Sequence, residues 1–134
     1  MKIRNPRTGE LDYEIKPMDA EHVAAAATRL RTNQPEWAAM PIAERSAIML
    51  RWADAIEKHA GAIIQQLTID TGRAGISAIE VGGVPGTIRR WAAQAPDIIA
   101  SHSPVDVPSS NPTIVNSTRL VPFPLFGAIA PWNF

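Results

Sequence analysis

The sequence predicts an α/β fold whose sheet is incomplete, and three observations carry that prediction. Apolar residues recur at helical spacing from Val23 to Trp91. Between 105 and 121 the texture becomes alternating and β-branched, the signature of an antiparallel hairpin. Residues 125–130 are then small or apolar on both faces, the pattern of a strand buried inside a parallel sheet. Such a strand cannot cover itself, so the pattern is an unfinished one.

The chain has 134 residues, 46% of them hydrophobic and 19% charged, which describes one globular domain rather than a disordered segment. Thirteen basic side chains balance thirteen acidic ones, and no basic stripe stands out, so neither nucleic acid nor an anionic membrane is expected as a partner. Cysteine is absent, which excludes disulfides, thiolate metal sites and a cysteine nucleophile. No window has the roughly 18 apolar residues of a membrane span. The amino terminus lacks the apolar core of a signal peptide, and a cytoplasmic location is expected.

Residues 3–17, broken by Pro6, Gly9 and Pro17, read as an extended lead-in with a turn at Arg7-Thr8-Gly9. Asp19 is placed to cap a first helix, whose core face is Val23, Ala26, Ala27 and Leu30 and which Asn33-Gln34-Pro35 should end. Pro41 opens a second helix as its first residue, with Glu44 in the first turn. Its stripe is Met49, Trp52, Ala53, Ile56 and Ala60, and Asp54 and Lys58 should pair four apart outside. Gly61 interrupts. Ile63, Ile64 and Leu67 mark a third helix that Gly72 can cap. Ile76, Ile79, Ile88 and Trp91 mark a fourth, reaching about Ala95, kinked or broken at Pro85 and ended by Pro96.

Beyond His102, Val105-Asp106-Val107 alternates, Pro108 to Pro112 is turn chemistry, and Thr113 to Val121 is a longer strand. Pro122 and Pro124 separate this hairpin from the buried strand. Pro131 stops that strand, so the amide of Asn133 is delivered just past its carboxyl end, where open α/β sheets bind ligands. A neutral amide there can hold a developing oxyanion; taken alone, Asn133 also suits a turn or a helix cap.

Other motifs carry less. Asp70-Thr71-Gly72 has the letters of an aspartic-protease loop, but helical spacing precedes it and Arg73 follows where a small residue is needed, so it reads as a helix end. Gly82, Gly83 and Gly86 lack G-x-G-x-x-G spacing and a preceding strand, and Pro85 removes an amide that a phosphate would need. His22, His59 and His102 are scattered without ligand spacing, so no metal site is expected. Arg89-Arg90 reads as a solvated helix face.

Taken in order, several stretches resemble the N-terminal part of the aldehyde dehydrogenases. Asn5-Pro6-Arg7-Thr8-Gly9-Glu10 is similar to that family's N-P-x-T-G-E opening. Trp37 followed by Pro41-Ile42-Ala43-Glu44-Arg45 resembles its W…P…E-R entry to the second helix. Ala53 to His59 resembles A-D-x-I-E-x-H, and Asp70 to Arg73 resembles D-T-G-K. Pro124 to Phe134 is similar to P-L-G-x-x-x-x-I-x-P-W-N-F, reworked in front.

The resemblance implies an incomplete aldehyde-dehydrogenase-like fold. Residues 1–103 would be the helical part of the cofactor domain, 104–122 a β-hairpin oligomerisation arm, and 123–134 the first strand of a Rossmann-like sheet. It implies NAD- or NADP-dependent oxidation of an aldehyde to an acid, in a homo-oligomer. By this likeness the Asn133 amide holds the substrate oxygen, Ala130, Pro131, Trp132 and Asn133 lie along the cofactor, and Phe134 borders the substrate tunnel. The family's cysteine nucleophile, the region of its general-base glutamate and its adenosine and pyrophosphate site have no counterpart here. The chain by itself is therefore expected to be inactive. The alternative is a non-catalytic remnant that pairs with a full-length homologue through the arm.

Overall fold

A computed structural model describes residues 1–102, 105–111, 113–118 and 121–129. The lead-in is a small antiparallel sheet, β1 (Lys2–Arg4) on β2 (Leu11–Glu14), with Ile3 opposite Tyr13. Its turn is built by Asn5, whose Oδ1 accepts from the amides of Arg7 (2.9 Å) and Thr8 (3.3 Å), and by Gly9 at φ 75°. The turn was legible in the sequence; the strand pairing around it was not.

Helix α1 spans Ala20–Ala39, and the Asp19 carboxylate caps it by accepting from the His22 amide at 2.9 Å. The expected stop at Pro35 is corrected: the helix runs through it. Good helix formers follow Pro35, and the real stop is Met40, held extended (ψ 134°) as the residue before Pro41. Pro41 is the N-cap of α2 (Ile42–Lys58) rather than its first residue. The break before α3 (Ala60–Thr71) falls at His59, so Gly61 lies inside the helix instead of interrupting it. Gly72 closes α3 at φ 70°, as its position suggested.

Helix α4 spans Ala74–Ser101; it passes through Pro85, where a kink or a break was expected, and through Pro96, where an end was expected. Pro85 is itself buried, so its ring is held by packing. At Pro96 the reason is a hydrogen bond. Proline cannot donate to the carbonyl four residues back, Ala92, and the Ser46 hydroxyl of α2 donates to it instead at 3.1 Å.

Helix α4 is the spine, packed by α2 along one stretch and by α3 along another. Among the described residues the buried centre is small: Ala53 of α2 with Ser77, Val81, Pro85, Ile88 and Ala92 of α4. Ala53 has no exposed surface, and a methyl there lets the two helices approach closely. The stripe expected on α2 is only partly inward, since Trp52 is 53% exposed. No residue of α1 is buried.

The second antiparallel pair is β3 (Val105–Pro108) with β4 (Val115–Thr118), Val105 opposite Thr118 and Pro108 opposite Val115. That is the predicted hairpin, with a shorter second strand. The apolar stretch 125–130 departs from expectation. Residues 125–129 have no regular secondary structure, and Ile129 is completely exposed. A parallel strand is made by neighbouring strands and by layers over both its faces, and none of the described residues supplies either.

Candidate active site

The residues expected to do chemistry, Ala130, Pro131, Trp132, Asn133 and Phe134, lie outside the described residues. What the structure does describe is the approach to them. Residues 122–126 run beside α1, forming a groove with Leu30 and Trp37, and Leu125 is half-buried there. Arg45, in the first turn of α2, lines this groove, a second one toward His102 and Val121, and a third between α2 and α4.

Most motifs singled out in the sequence turn out to fasten the fold. Asp70 accepts from the Tyr13 hydroxyl at 2.6 Å and from Gln66 at 3.1 Å, tying the N-terminal sheet to α3. The hydrogen bond to Asp70, then desolvation, raises the Tyr13 hydroxyl above its ordinary pKa. Gly72 lies under the same sheet: a Cβ there would stand 3.1 Å from Arg7 Cγ. Arg73 pairs with Glu80 at 3.0 Å. A helix end, not a protease loop, is therefore what Asp70-Thr71-Gly72 forms.

Two readings of charge are corrected. Asp54 turns to α4 rather than to Lys58, accepting from Arg89 at 2.7 Å. Arg89 is correspondingly no idle solvated residue, because it also grips both carboxylate oxygens of Glu57, at 2.5 and 2.8 Å. That fork holds Glu57 below the usual carboxylate range and raises the guanidinium further. The available signal was Asp54 and Glu57 three apart on one helix face, which calls for a cation opposite.

The three clustered glycines of α4 form no phosphate-binding loop. Gly82, Gly83 and Gly86 sit inside α4, where backbone amides serve the helix and cannot cradle a phosphate. His22 contacts Asp19, His59 joins α2 to α3, and His102 contacts the Ile98 carbonyl.

The fold gives the class of protein first. The chain superimposes on an NAD-dependent benzaldehyde dehydrogenase from Corynebacterium glutamicum with a TM-score of 0.73 and 28% identity, over 84% of this chain and 24% of that one. The class is that neighbour's α/β fold, present here in part. The model of the aldehyde dehydrogenase family matches residues 1–134, and the chain belongs to that family. It is 33% identical over 130 residues to a vanillin dehydrogenase of Corynebacterium glutamicum, covering 97% of this chain and 26% of the relative. It is 32% identical over 134 residues to a mitochondrial benzaldehyde dehydrogenase of Antirrhinum majus, covering 97% and 24%. The chain thus spans about a quarter of the length of these relatives.

The resemblance and the incomplete α/β fold read from the sequence are borne out by these matches. No helix among the described residues is long and apolar enough to cross a membrane.

Proposed function

We propose that this chain is the N-terminal segment of a cytoplasmic NAD- or NADP-dependent aldehyde dehydrogenase, supplying the oxyanion-binding amide and relying on the rest of a subunit for nucleophile and base. The observation that carries the reading is the family match running through all 134 residues up to Pro131-Trp132-Asn133-Phe134. The nicotinamide cofactor is the hydride acceptor of this chemistry. Asn133 has the simplest role. A tetrahedral adduct carries more negative charge on oxygen than the aldehyde does, so an amide N–H held at that oxygen stabilises the adduct more than the substrate. Ala130 to Trp132 lie along the cofactor, Phe134 borders the aldehyde, and 123–134 becomes a strand once neighbours flank it. The β3–β4 hairpin joins subunits of a homo-oligomer, and residues 1–103 form one side of the cofactor domain.

Replacing the matched quarter of the vanillin dehydrogenase by residues 1–134 tests this. The chimera is expected to oxidise aldehyde, and Asn133→Ala in it to lower kcat about 10²–10³-fold. The isolated chain, having no cysteine, is expected to show no turnover with NAD or NADP. Turnover by the isolated chain, or an Asn133→Ala chimera as active as its parent, overturns the proposal.

One observation favours a second reading, a non-catalytic module that pairs with a full-length relative. All four residues of β4 are exposed, and β4 has no partner but β3 among the described residues. That reading requires co-elution with a full-length relative and loses its basis if Asn116→Pro, which blocks ladder formation, leaves co-elution unchanged.

A further inference from the structure

Half-buried Arg45 carries the buried side-chain nitrogen that has no hydrogen-bond partner among the described residues. Its Nε is sealed from solvent and has no hydrogen-bond partner, and its guanidinium enters no ion pair there. The walls around it are apolar: Trp37 of α1, Ile42 of α2, Trp91 and Ile99 of α4. Trp91 is 56% exposed and Ile99 46%. An arginine set among apolar side chains is unfavourable unless a carboxylate or other acceptor meets it, and covering these walls would bury it further. Elsewhere in the chain the equivalent demand is met, since Arg89 holds two carboxylates and Arg73 one.

The geometry points to the floor around Arg45 as an interaction surface for an apolar segment carrying a carboxylate, contributed by the portion of an aldehyde dehydrogenase subunit that this chain does not contain. The occupant follows from charge and size together. Arg45 calls for an anion, the flanking tryptophan and isoleucines call for aliphatic or aromatic cover, and the chain accounts for about a quarter of its relatives' length. The carboxylate meets the guanidinium while the segment's apolar face closes the groove between α2 and α4. This inference rests on the proposed role of the chain as one segment of a subunit.

The test is co-expression of tagged chain with the part of the vanillin dehydrogenase outside its matched quarter, followed by affinity measurement on the purified pair. Wild type is expected to capture that partner. Arg45→Met is expected to weaken capture by ~30-fold or more, the usual scale for removing one member of a buried charge pair, and Arg45→Lys by less. The free chain supplies the second readout. Removing an unpaired charge should leave the melting temperature of Arg45→Met at or above that of wild type, the opposite sign to its effect on capture.

Capture by wild type with Arg45→Met equally effective overturns the inference and leaves the proposed role standing. A parallel loss of melting temperature and capture makes Arg45 a structural residue and also overturns it. Wild type that captures nothing overturns both the role and the inference. Concentration-dependent dimers of the chain alone that Arg45→Met leaves intact assign the groove to a second copy, again against the inference.

Discussion

The Ser46 hydroxyl on α2 donates at 3.1 Å to the Ala92 carbonyl on α4, the acceptor that Pro96 cannot serve. One side-chain bond thus does two things: it holds α2 against α4 and lets α4 continue past a proline to Ser101. Ser46→Ala is expected to destabilise the chain by about 1 kcal/mol or somewhat more, as a covered carbonyl is left without a donor. In a Pro96→Ala background the helix supplies its own amide, so the same substitution should cost clearly less. Urea melts of the four proteins check this, and strict additivity would show that Ser46 does not serve that carbonyl.

Gly72 is constrained twice, by φ 70° and by the nearness of Arg7. Gly72→Ala is expected to cost roughly 1–2 kcal/mol from the left-handed backbone alone. Because Arg7 must then shift, amide exchange should quicken in β1 and β2 more than in α4. Uniform quickening along the chain would argue that the sheet does not rest on Gly72.

Glu57 is held below its usual pKa chiefly by its hydrogen bonds to Arg89. Its folded-state value is the depressed one, so the stabilisation is complete above the ordinary carboxylate value of 4.5 and fades as pH falls through the folded value. The stability gap between wild type and Arg89→Met should therefore be level from about pH 6 upward and narrow below 4.5. A gap that widens in acid contradicts the pairing. Glu57 is exposed and Arg89 only half-buried, so added salt should shrink the gap as well.

Large apolar side chains stand open on several faces: Ile79 at 71%, Trp91 at 56%, Phe126 at 81% and Ile129 at 102%. Self-association of the isolated chain is expected at micromolar concentration, checked by sedimentation. Ile129→Lys and Phe126→Lys together should reduce it. A monodisperse monomer at high concentration would count against these surfaces being interaction faces.

Asp19, Gly72 and the β-branched run near Val115 announced a cap, a stop and a strand, because each acts through its own backbone and immediate neighbours. The family, too, was legible, since its motifs are ordered along the chain. The prolines misled for the converse reason. Pro35 and Pro96 carry a local penalty, but whether a helix survives it depends on what lies beside it, and Ser46 is 50 residues from Pro96 in the chain. Asp54 choosing Arg89 over Lys58, and Tyr13 reaching Asp70, are likewise decisions of packing. The stretch 125–130 shows the division most sharply. Its composition states that it wants two covered faces, but a strand is a relation between segments, and only tertiary structure supplies the other member.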